Sequence, residues 1–101
     1  MATPVIKLCL IRGYKEAYYQ LSEDEQKKLW DGVFEGIQKT GAKMIGPYYD
    51  CRWSNDEYMM FFLMEYPDAE AAVAEIANAE KVGLFRYMES KTILGVVHKD
   101  E

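Results

Sequence analysis

The sequence predicts an α+β sandwich, a four-stranded antiparallel sheet with two helices on one face, in one domain spanning residues 1–101. Three observations carry that expectation. Apolar residues alternate between strand-like and helix-like spacing in the order βαββαβ. The two helical stretches have the length of ordinary crossovers, and right-handed crossovers put both on the same side of a sheet. The stretch GPYYDCRWSNDEYMMFFLMEY, residues 46–66, joins two runs rich in aromatics and methionine across a polar turn at Ser54-Asn55-Asp56, which is the pattern of a β-hairpin.

The elements follow in order. Val5 to Arg12 is the first strand, with Ile6, Leu8 and Leu10 on one face and Val5, Lys7, Cys9 and Ile11 on the other. Gly13-Tyr14 ends it, and a loop carrying Tyr18 and Tyr19 leads to Ser22. There a helix begins with a capping box: Ser22 can accept from the amide three residues on, Glu25 can reach back, and Glu23-Asp24-Glu25 suits the positive end of the helix dipole. Trp30, Val33, Phe34 and Ile37 form its apolar stripe with Leu29 at the margin, and Gly41 stops it. After the hairpin, Asp68 caps a second helix through about Ala79 with an inner stripe of Ala72, Val73, Ile76 and Ala77. Such small residues permit close approach to a sheet and leave volume for large neighbours or for a pocket. A short helical piece over Glu80 to Met88 and a last strand from Lys91 to His98 complete the chain. This order is that of a ferredoxin-like sandwich.

Composition narrows the partners. The net charge of −5 disfavours a nucleic-acid ligand, which needs a basic patch. No stretch approaches the roughly 20 apolar residues that span a bilayer, and MATPVIKLCL lacks both a basic lead and a cleavage site, so no membrane partner and a cytoplasmic location are expected. Cys9 and Cys51 are isolated in strands and read as small buried hydrophobes. One histidine and two distant cysteines cannot make a zinc site, and glycine-rich nucleotide loops and a GxSxG elbow are absent, so no metal and no cofactor are expected. A sheet whose second hairpin strand, Tyr58 to Leu63, is apolar at every position cannot leave either face in water. Two helices cover one face, and a second copy packed sheet to sheet covers the other, so a homodimer is expected.

Nearly the whole chain, at the level of element order, resembles the dimeric α/β-barrel superfamily. That group includes muconolactone isomerase, the cofactor-independent antibiotic-biosynthesis monooxygenases, stress-responsive dimeric barrel proteins, YCII-like proteins and chlorite dismutases. The sharpest local likeness is Leu84-Phe85-Arg86-Tyr87-Met88, similar to an LFxYM segment at the same place in muconolactone isomerases, where packing an end of the sheet is its simplest role. The resemblance implies a ligand site in each monomer between sheet and helices, and it matches no catalytic residue of the isomerase to a position here.

The candidate site residues come from the hairpin and its surroundings. With Asn55-Asp56 as a two-residue turn, Trp53 pairs with Tyr58, Cys51 with Met60 and Tyr49 with Phe62, leaving Tyr48, Asp50 and Arg52 on the opposite face beside Met59, Phe61 and Leu63. A turn one residue longer exchanges the faces. Asp50 and Arg52 can orient an anionic oxygen between them or form a plain edge-strand salt bridge. Arg12 offers a second positive charge, and Tyr14, Tyr18, Tyr48 and Trp53 are candidate walls of a substrate pocket. His98 is the one side chain that ordinarily titrates near neutrality, and also stands close to the chain's end. With Asp50, Arg52 and His98 as the catalytic candidates, the expected function is a cofactor-free isomerase or monooxygenase acting on a small aromatic or lactone-like metabolite. The alternative is a non-catalytic dimer that binds a small ligand or assists a pathway partner.

Overall fold

In a computed structural model that describes residues 3–98, the elements are β1 (Val5–Tyr14), α1 (Glu16–Tyr19), α2 (Glu23–Thr40), β2 (Lys43–Asp50), β3 (Met60–Tyr66), α3 (Ala69–Lys81), α4 (Leu84–Tyr87) and β4 (Met88–Gly95). The four strands form one antiparallel sheet in the order β2-β3-β1-β4, the ferredoxin-like arrangement. The two long helices, α2 and α3, pack on one face: Cys9 and Ile11 meet Leu29, Val33 and Ala79, while Val5, Met64 and Tyr66 meet Ala72. The alternate residues Ile6, Leu8 and Leu10 are only half-buried, because no helix among the described residues covers that side. None of the helices in the described residues is long and apolar enough to cross a membrane.

Local chemistry explains the helix ends. Ser22 Oγ accepts from the Glu25 amide at 3.1 Å and Glu25 accepts from the Ser22 amide at 2.9 Å, so the capping box is closed. Gly41 ends α2 in the left-handed conformation, φ +77°. Asp68 caps α3 by accepting from the Ala71 amide at 2.7 Å. The two helices lie close where α2 offers Gly32 and Gly36: Asn78 Nδ2 donates to the Gly32 carbonyl at 3.2 Å, and a Cβ on Gly36 would come within 1.9 Å of that nitrogen.

Four expectations are corrected. The hairpin turn is a loop over residues 51–59 instead of a two-residue turn, because Asn55 organises it internally: its Oδ1 accepts from the amides of Glu57 and Tyr58, and its Nδ2 donates to the Cys51 carbonyl. The register is therefore Asp50 opposite Met60 and Tyr49 opposite Phe61, one residue from the expected pairing. The inner face of α3 is Ala72, Glu75 and Ala79, with Val73 exposed, since the stripe turns towards Lys7 of β1. The last strand begins at Met88 and ends at Gly95, because its ladder with β1 starts at Tyr14. Leu84 and Met88 of the LFRYM segment are buried in the core, as a packing role requires.

On β2 the ladder is interrupted: Ile45 pairs with Leu63 and the next partner pair is Tyr49 with Phe61, so four residue steps on β2 match two on β3. Gly46 allows this, with φ +73° and the Tyr49 hydroxyl in the space a Cβ would occupy. The interruption sends Tyr48 to the helix side, against Phe62, and Tyr49 to the open side, stacked on Phe61.

Candidate functional site

Between the sheet and the helices lies a cavity of about 680 Å³, in the range of sites for small organic molecules. It exists because the helices cover β1 and β3 while β2 stays exposed along its length, and because α3 presents Ala79 and Ile76 there instead of larger groups. One end is aromatic. Tyr14, Trp30, Phe34, Tyr48 and Phe62 line it, and Tyr18 stacks on Tyr14 with centroids 4.4 Å apart while its hydroxyl accepts from Trp30 Nε1 at 2.9 Å. Burial pushes the Tyr14 and Tyr48 phenols up, so both remain neutral and act as amphipathic walls.

The other end is polar. Lys7 Nζ donates to Glu75 Oε2 at 3.0 Å, and both residues are about 5–6% exposed. The ammonium also lies 5.7 Å from the ring centroids of Phe62 and Tyr66. Tyr66 is fully buried, its hydroxyl 3.8 Å from Met64 Sδ, and burial together with the neighbouring Glu75 carboxylate pushes its phenol strongly upward. Cys9, Ser90 and Thr92 continue this end across β1 and β4. The Cys9 thiol is raised chiefly by burial, an environment that keeps it protonated. An ion pair so enclosed loses much of its solvation and is sustained by close geometry; in such surroundings each charge acts strongly on a bound molecule.

The residues expected from sequence divide between this cavity and the surface. Tyr14 and Tyr48 line the cavity, and Tyr18 supports its aromatic wall. Asp50 and Arg52 bond to each other, Asp50 Oδ1 accepting from the Arg52 amide and Nε at 3.0 and 3.1 Å and Oδ2 from a terminal nitrogen at 2.6 Å, with side chains 57% and 71% exposed. The arginine bonds hold the Asp50 carboxyl down at about 2. This pair lies outside the cavity, at the end of the edge strand. Trp53 is exposed on the hairpin loop, Arg12 pairs with Glu57 and covers the Tyr58 ring, and His98 is exposed beyond β4. Sequence reasoning missed Lys7 and Glu75. The signal for Lys7 was a charged residue in line with Val5, Cys9 and Ile11, and for Glu75 a carboxylate between Ala72 and Ala79 on one helix face.

No protein-family model matches the chain, and no curated protein matches it. Solved structures do. A protein of unknown function from Rhodopseudomonas palustris is 20% identical with a TM-score of 0.67, over 99% of this chain and 86% of that one. A hypothetical Arabidopsis thaliana protein is 13% identical with a TM-score of 0.55, over 98% and 92%. SnoaB, a cofactor-independent oxygenase from Streptomyces nogalater, is 9% identical with a TM-score of 0.52, over 98% and 97%. At these identities the likeness is one of fold alone: the chain shares its four-stranded antiparallel sheet with helices on one face with these proteins, a cofactor-independent oxygenase among them.

Proposed function

We propose that the chain is a cofactor-independent enzyme of isomerase or monooxygenase type that acts on a small aromatic or lactone-like compound held between the sheet and the helices. The observation that carries this reading is the buried Lys7–Glu75 pair in the wall of an otherwise largely apolar cavity. In a water-poor site a carboxylate can take a proton from a bound substrate, and an adjacent ammonium can stabilise the oxyanion that results. Tyr14, Tyr48 and Trp30 supply ring contacts that orient a flat molecule. The fold shared with a cofactor-independent oxygenase is in keeping with such chemistry. The test is turnover of a panel of quinols and lactones by the wild type, Glu75→Gln and Lys7→Met. Loss of rate by roughly two orders of magnitude in a Glu75→Gln variant that keeps the wild-type circular dichroism spectrum is expected for a general base, and an unchanged rate in both variants would remove the site.

A non-catalytic ligand-binding dimer is the second reading, favoured by one observation: Asp50 and Arg52, which could have supplied the chemistry, face solvent. Binding of the same compounds without consumption would establish it. In either reading we propose a homodimer. Ile6, Leu8, Leu10, Phe61, Leu63 and Ile93 lie on the side of the sheet that no helix among the described residues covers, and a second copy buries them.

A further inference from the structure

Resting on the cavity as the functional site, the arrangement of its charges specifies what chemistry it accepts. Among the described residues, Lys7 and Glu75 are the only charged side chains in its lining, and they are bonded to each other, so the pair is electrically neutral before a ligand arrives. A ligand that is already an anion, such as a carboxylate, can reach Lys7 only by placing a second negative charge beside Glu75 in a poorly solvated space. A hydrocarbon gains the ring contacts and nothing from the pair. A neutral molecule with one acidic O–H suits both partners at once, because its oxygen can accept from one of the three ammonium protons of Lys7 while its hydrogen is donated to Glu75.

We propose that the cavity selects uncharged weak oxygen acids carried on a flat apolar ring, phenols or enols, over carboxylates and hydrocarbons of the same shape, and that Lys7 and Glu75 are the residues that set this specificity. The pair also allows ionisation of the ligand without a change in net charge. The ligand O–H bond breaks, the electron pair stays on the ligand oxygen, the proton forms an O–H bond on the Glu75 carboxylate, and Lys7 then donates to the new oxyanion. Lys7 is held for this by its bond to Glu75 and its position between the rings of Phe62 and Tyr66. The aromatic end, with Tyr14, Trp30 and Tyr48, receives the ring.

Equilibrium dialysis at neutral pH with 2-naphthol, 2-naphthoate and naphthalene tests the proposal on the intact chain. The wild type is expected to bind 2-naphthol at least about tenfold more tightly than either of the others, the gain of one or two hydrogen bonds to charged groups. Because a single substitution leaves a buried charge unpaired and can unfold the chain, the decisive variant is Lys7→Met/Glu75→Gln, which removes both charges. It should bind naphthalene as the wild type does and lose most of the preference for 2-naphthol. Equal affinity of the wild type for 2-naphthol and naphthalene, a preference for 2-naphthoate, or retention of the naphthol preference in the double variant overturns this specificity and leaves the cavity as a binding site. Failure of all three compounds to bind overturns the cavity itself and the proposed function with it.

Discussion

Lys7 and Glu75 stand 68 positions apart in the chain and meet because β1 and α3 cross where a larger apolar residue would close the core. Removing one partner leaves the other charge buried, so Lys7→Met should cost about 3–5 kcal/mol in urea denaturation, whereas Lys7→Met/Glu75→Gln should come back most of the way to wild type. The Asp50–Arg52 pair behaves differently because it is solvated. Its carboxyl titrates at about 2 in the folded chain against an ordinary 3.8. A depressed carboxyl favours the folded state above its unfolded value, and this contribution disappears as pH falls through the folded value near 2. Arg52→Ala should return the Asp50 titration, followed by NMR, towards 3.8 while ligand binding in the cavity is unchanged. Alternation along β1 put Lys7 on one face with Val5, Cys9 and Ile11, but did not say which face the helices cover. Its partner was not legible in the sequence, since nothing local distinguishes Glu75 from the other acidic residues of α3, and the pairing depends on how that helix rotates over the sheet.

At the scale of elements, the helices were the most legible part, because their ends are set by neighbours in sequence. Ser22, Glu25 and Gly41 act within one turn, and the structure closes each of those bonds. Ser22→Ala should lower stability by about 1 kcal/mol, measured by thermal or urea unfolding. The contact between α2 and α3 is tighter than either sequence alone suggests. Gly36→Ala puts a methyl into the Asn78 amide, which must move and give up its bond to the Gly32 carbonyl, and a loss of about 1–3 kcal/mol is expected. The hairpin was legible as an element and misread in register, for a physical reason. Asn55 holds a longer loop by hydrogen bonds to Cys51, Glu57 and Tyr58, and a turn of a different length shifts every pair above it by one.

At the scale of the molecule, the helix layer and the bare sheet face have opposite needs. The cavity is formed by one chain's own sheet and helices, and the uncovered face is where Leu8 sits between Leu63 and Ile93 on neighbouring strands. Light scattering of the wild type should give twice the mass of one chain at micromolar concentration. Leu8→Lys, on that face and away from the cavity, should give the single-chain mass with the circular dichroism spectrum preserved; a stable wild-type monomer would refute the sheet-to-sheet contact.

The interrupted ladder of β2 has a consequence for motion. This edge strand is exposed throughout, is bonded to the sheet along β3 alone, and loses its regular pairing between Ile45 and Tyr49, beside the cavity wall formed by Met44 and Tyr48. Few buried contacts oppose its local opening, so its backbone amides should exchange with deuterium faster than those of β1, which is paired on both sides. A bound ring resting on Tyr48 should slow the exchange of that strand.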